Sequence, residues 1–232
     1  MRLKFPVLAM AAVAALAGCV EPTAAPQTQP ARAVPTATDE ARYARVVSRM
    51  EPVIESECRA RVSAQVNCDF AIILDDDPRK GANAYQTLDR SGRPILAFTT
   101  QILPDFQNDD ELAFVLGHEA AHHIAGHIAQ TRSTAVTGAL LGGALAVVLG
   151  GGQSAVDIGV DLGSTVGARA YSKDHELEAD RLGAILTQRS GYDALRGAQF
   201  FERIPDPGDR FLGTHPPNDQ RIAVVTETVA GL

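Results

Sequence analysis

The five residues His118-Glu119-Ala120-Ala121-His122 constrain this chain more than any other stretch. Just upstream, Asn108 can cap a helix, and Asp109, Asp110 and Glu111 place negative charge in its first turn, where the helix dipole favours it. Leu112, Phe114, Val115 and Leu116 follow without a breaker, so the pattern predicts a helix from residue 108 to about residue 129. At about 100° per residue, positions four apart lie about 40° apart on one face. His118 and His122 therefore point the same way and can share one Zn²⁺. Glu119 stands beside them, where it can hold a water molecule and accept its proton. The same five-residue pattern also occurs on exposed helices that bind nothing, so the reading needs a third ligand.

Residues 175–180, His-Glu-Leu-Glu-Ala-Asp, lie on a second predicted helix, from about 171 to 189 and closed by Gly191. Glu176 and Asp180 are four apart and share a face, whereas Glu178 points roughly opposite. A carboxylate ligand with an aspartate behind it, hydrogen-bonded to a ligand imidazole, is a common arrangement around zinc. Helix geometry alone does not choose between Glu176 and Glu178 as that ligand.

Residues 108–127, NDDELAFVLGHEAAHHIAGH, resemble the signature of metallopeptidase family 48. That family of zinc gluzincins includes HtpX-like proteases, the CAAX prenyl protease and periplasmic lipoprotein peptidases. Its second signature is similar to Glu176-Leu-Glu-Ala-Asp180, which implies Glu176 as the third zinc ligand and leaves Asp180 as the aspartate behind a ligand imidazole. A third is similar to His215-Pro216 followed by Arg221. It implies that His215 stabilises the oxyanion or caps the zinc at rest, and that Arg221 orients this loop or its aspartate neighbours. Tyr171 is a further candidate for oxyanion help. Asn83-Ala84-Tyr85 resembles the edge strand that lies over the family's cleft, where an extended substrate would pair by backbone hydrogen bonds. The likeness runs from about residue 39 to 229. It implies one Zn²⁺ per chain, Glu119 as general base, and endopeptidase action on unfolded or misfolded proteins. Of the other histidines, His127 is nine residues from His118, half a turn off, and is expected to face away. His123 is about 140° off, and His175 lies on a different face from Glu176.

The N-terminus reads as an export signal. Arg2 and Lys4 precede an apolar stretch at residues 5–16, too short to span a bilayer comfortably. Leu16-Ala17-Gly18-Cys19 resembles a bacterial lipobox, which implies cleavage after residue 18 and a lipid on Cys19. Val20 after it favours the periplasmic face of the outer membrane over the inner membrane. Residues 19–38, rich in Pro, Ala, Thr and Gln, read as a tether with a reach of roughly 25 Å. The zinc peptidase domain is then residues 39–232. In an exported chain Cys58 and Cys68 are expected to form a disulfide.

The remaining pattern gives one α+β domain, mainly helical with a small sheet. A helix is predicted at 39–61, strands at 68–74, 83–88 and 94–99, and further helices at 194–203 and 218–228. Residues 135–152 carry no charge and six glycines. They are expected to form a packed or membrane-touching helical hairpin near the cleft rather than a true span. The formal charge of −7, from 21 basic and 28 acidic residues, excludes a nucleic-acid partner held by a basic surface. The competing class is a non-proteolytic periplasmic chaperone or assembly factor. Retention of Glu119 favours the enzyme, because a pure binder has no need of a base.

Overall fold

The computed structural model describes residues 34–170, 172–204 and 216–232. Cys19, Tyr171 and His215 lie outside the described residues. Helix α1 (Ala37–Arg61) starts earlier than the expected residue 39. Thr36 and Asp39 form a reciprocal capping box, so the chain is already helical at Ala37. Tyr43, Val46, Met50, Ile54 and Cys58 recur every three or four residues and are all buried. Pro52 lies within this helix on its exposed side, where the carbonyl it leaves unbonded can turn to water.

The sheet comprises β1 (Ala71–Asp75), β2 (Ala84–Leu88) and β3 (Pro94–Thr99) in the order β1-β3-β2. β3 is central and its Leu96, Ala97 and Phe98 are fully buried. It runs parallel to β1, with Ile72 opposite Leu96, and antiparallel to β2, with Tyr85 opposite Ala97. β2 is left at one edge. The first strand begins at Ala71, not residue 68. Asn67 turns the chain by accepting from the Asp69 amide, and Cys68 is bonded to Cys58.

Helix α2 (Asp109–Ile124) runs through the middle of the molecule, with Leu112, Ala113, Phe114, Leu116, Ala120 and Ala121 buried. It ends five residues before the expected end, at a break discussed below. Helices α3 (His127–Val148) and α4 (Gln153–Ala170) form a hairpin, and α5 (Ser172–Arg189) returns to pack along α2. The single helix expected over 194–203 is two short ones, α6 (Ala194–Ala198) and α7 (Phe200–Arg203), joined at Gln199. Helix α8 (Asn218–Ala230) closes the bundle against α5. The described chain is 68% helical with one small mixed sheet, an α+β architecture.

The Cys58–Cys68 disulfide ties the last turn of α1 to the approach to β1, with Cα atoms 5.8 Å apart. Closing a loop of this length restricts the unfolded chain by about 3 kcal/mol. Replacing both cysteines by alanine should lower unfolding free energy by that order in a urea titration, with helices α2 and α5 still formed.

Candidate metal centre

Two helices supply the site, and their placement starts with backbone. At the start of α2, the Asn108 side chain accepts from the Glu111 amide at 3.0 Å. The Glu111 carboxylate accepts in return from the Gln107 amide at 2.7 Å and from Asn108 Nδ2 at 3.1 Å. Glu111 is fully buried and ion-paired with Arg203 at 2.5 Å, so the entry to α2 is fixed from two directions. One residue before His118, α2 crosses α5 at Gly117 and Gly183. A methyl on Gly117 would lie 2.8 Å from the Gly183 carbonyl oxygen, and one on Gly183 would lie 2.8 Å from the His118 amide nitrogen. Only two glycines let the backbones come this close.

That approach brings together the donor atoms read from the sequence. His118 Nε2 and His122 Nε2 are 3.0 Å apart. Glu176 offers Oε2 at 3.5 Å from the first and Oε1 at 3.4 Å from the second. Ligands about 2.0–2.2 Å from a tetrahedral zinc ion stand about 3.3–3.5 Å from one another. Two imidazoles and a carboxylate at this spacing fit such an ion. Glu178, the alternative ligand, is not in this set.

Each imidazole is held from behind, and the two are held differently. His118 Nδ1 lies 2.9 Å from Asp180 Oδ1. Asp180 is wholly buried and accepts two hydrogen bonds from Arg221, Nε at 2.7 Å and Nη2 at 2.8 Å. Arg221 in turn lies over the Phe201 ring, 3.8 Å from its centroid. Burial works against ionisation of Asp180, but His118 and Arg221 outweigh it and hold its carboxyl below the usual range. Burial likewise pushes the His118 imidazole down, but Asp180 and Glu176 prevail and raise it to about 10.

His122 is backed by His127, which the helical wheel placed on the far side. The wheel fails because the helix stops. Ala125 ends α2, Gly126 adopts φ 73°, and α3 starts afresh at His127. The left-handed turn folds His127 back, and its Nδ1 lies 2.8 Å from His122 Nδ1. His127 Nε2 lies 3.2 Å from Glu178 Oε2. Burial lowers the His127 imidazole to about 4 despite Glu178, so the ring is neutral. A neutral His127 can accept at Nδ1 from His122 and donate at Nε2 to Glu178. His175 stacks on it, ring centroids 4.3 Å apart. Sequence reasoning missed both His127 and His175. Gly126 was the visible signal for the first. His123 is structural: its Nε2 lies 2.8 Å from the Asn67 carbonyl oxygen and its ring meets Phe70 edge-on.

Glu119 is half-buried and lines a cleft of about 500 Å³ with the three donor residues, His127, His175, Thr131 and Arg132. Ala84, Tyr85 and Gln86 of the edge strand form its other wall. The Tyr85 hydroxyl donates a 2.5 Å hydrogen bond to Asp75, which also pairs with Lys80.

Residues 40–229 match the model of peptidase family M48. The chain belongs to peptidase family M48. Among M48 relatives, it is 33% identical over 129 residues to the beta-barrel assembly-enhancing protease of Escherichia coli, covering 50% of this chain and 26% of that one. A Vibrio cholerae protein of the corresponding name is 34% identical over 130 residues, covering 50% and 27%. The yeast mitochondrial metalloendopeptidase OMA1 is 31% identical over 157 residues, covering 63% and 43%. The chain thus aligns with less than half the length of each. M48 is a family of zinc metallopeptidases, and His118, His122 and Glu176 form a donor set that could hold such an ion.

Two outcomes follow from the layer behind the ligands. A metal-bound imidazole cannot keep the proton that the apo site holds on His118, so zinc binding below about pH 10 releases a proton. Affinity should rise about tenfold per pH unit across neutrality, which calorimetry in buffers of different ionisation enthalpy will show. Removing the partner of His122 by His127→Leu should weaken zinc binding about 10–100-fold in a chelator competition. His127→Asn, which can still accept and donate, should retain most of it.

Proposed function

We propose that this M48 chain is a zinc-dependent endopeptidase that cleaves unfolded or misfolded proteins of the cell envelope. The observation that carries the reading is the placement of Glu119 on the cleft wall, one residue from His118 and opposite the open edge of β2. Zinc, when bound, supplies a Lewis acid that polarises the scissile carbonyl and makes water a better nucleophile near neutral pH. Glu119 accepts a proton from the attacking water and delivers it to the leaving amine. His118, His122 and Glu176 hold the ion. Asp180 and Arg221 fix the orientation of His118, and His127 fixes that of His122. His215, by its resemblance to the family motif, is assigned to oxyanion stabilisation or to closing the resting site.

The substrate lies extended against Ala84–Gln86 and pairs with the outer edge of β2. Such pairing reads main chain rather than side chains, so it favours segments whose own backbone groups are unpaired. The envelope assignment rests on the lipobox at Leu16–Cys19 and the tether after it. The lipid on Cys19 holds the enzyme at the periplasmic face of the outer membrane. The names of the bacterial relatives, which refer to beta-barrel assembly, accord with work at that membrane.

The test compares the zinc-loaded full chain with Glu119→Gln on a reduced, unfolded model protein. Wild type should cleave it, and the variant should lose a factor of about 10²–10⁴ or more with its zinc content unchanged. Equal cleavage by both would remove Glu119 from the role. Absence of cleavage by a wild type that holds zinc and suppresses aggregation would replace the peptidase with a chaperone.

A further inference from the structure

We propose that the tip of the α3/α4 hairpin docks in the interface of the bilayer to which Cys19 is anchored. It sets the height of the cleft above the membrane. The idea rests on the anchored reading above only for bringing the fold to the bilayer.

The hairpin is the one large apolar surface among the described residues that the core leaves uncovered. Helix α3 is long and apolar enough, by length and composition, to cross a membrane. Val136, Leu140, Leu141, Leu145, Val147, Val148 and Leu149 on or just after it are all more than half exposed, as are Ile158 and Leu162 on α4. A contiguous patch of this kind marks a contact surface. Its polarity is graded along the axis. The base, His127 to Thr137, carries Gln130, Arg132 and three threonines and lines the cleft. No charged residue occurs from Ser133 to Val156, which includes the whole tip.

The packing of the two helices orients this surface. Gly142, Gly143 and Ala146 of α3 face Val156, Gly159 and Val160 of α4, close enough that methyls at Gly143 or Gly159 would collide across the seam. A 100° step from that seam puts Asp157 and Asp161 on one broad face of the hairpin. Ile158 and Leu162 fall on the other, together with Leu145 and Leu149. One face is thus free of charge up to the turn.

The aspartates also set the depth. A full span would carry both Asp157 and Asp161 into hydrocarbon, at about 2.5–3.5 kcal/mol each near the midplane. Asp157 lies five residues beyond the turn at Gly152, about 7 Å along the axis. That matches the 5–10 Å to which interfacial helices bury their apolar side. Helix α3 is about 33 Å long, so with its tip in the interface the cleft, at the base of the hairpin, stays in water.

The sequence has no tryptophan, which makes the test direct. Leu149→Trp places the sole indole at the tip, and Val136→Trp places it at the polar base. Each full chain is added to phosphatidylethanolamine and phosphatidylglycerol vesicles with and without brominated acyl chains, and lipid on Cys19 is read by mass spectrometry. Docking predicts a blue shift and bromine quenching for Leu149→Trp and neither for Val136→Trp. A lipidated chain that stays on vesicles with an unquenched tip overturns the proposal while sparing the anchor. A blue shift that needs no lipid and grows with protein concentration also overturns it, in favour of a second copy. If Cys19 carries no lipid, the anchored reading fails and the hairpin alone must bring the chain to the vesicles. Quenching then still supports docking, and its absence sinks it.

Discussion

The site depends on a contact with no side chains in it. At the crossing of α2 and α5, Gly117 and Gly183 lie backbone to backbone, and any Cβ at either would meet main-chain atoms at 2.8 Å. Backbone cannot yield as the end of a side chain can, so a methyl there would push the helices apart. The three donor groups stand only 3.0–3.5 Å from one another, and a shift of the helix axes would be felt in full at the site. The rest of the fold braces this crossing. Thr187 donates to the Gly183 carbonyl, α1 packs on α2, and the ion pair of buried Glu111 with partly exposed Arg203 fixes where α2 begins.

Around the donors, the protein distributes charge unevenly. His118 is backed directly by a buried carboxylate that is neutralised by a buried guanidinium. His122 is backed by a neutral ring, with the carboxylate of Glu178 one step further out and half exposed to solvent. The first arrangement sets an ionised carboxylate, itself paired with a guanidinium, directly against the imidazole and makes it a stronger donor. The second orients the ring with less electrostatic push. Two chemically identical ligands thus differ through what stands behind them.

Much of this was legible in the sequence, for identifiable reasons. The pair His118 and His122, with Glu119, follows from helix periodicity alone, because both lie within one unbroken helix. Glu176 needed the family likeness, since the wheel allowed Glu178 as well. The structure gives those two carboxylates separate tasks. His127 was misplaced because a continuous helix was assumed across Gly126, where a single positive φ resets the phase. The stacking of His175 on His127 depends on how α5 returns past the start of α3, which no local pattern encodes. The early start of α1 was a missed reciprocal cap at Thr36 and Asp39. The strands β2 and β3 were read well, as each alternates or is apolar throughout and is bounded by turn residues.

The edge position of β2 has a consequence in time rather than in space. A segment can join that edge only while its own N–H and C=O groups are free, and folding consumes those groups. If substrates join that edge, as proposed above, no marker of damage is needed in the clients. A chain that folds quickly removes itself from the pool of substrates, and one that lingers remains available for capture. Selection then becomes a race between a client's folding rate and its encounter with the cleft. The same sequence can be spared or destroyed according to how promptly it reaches its native state.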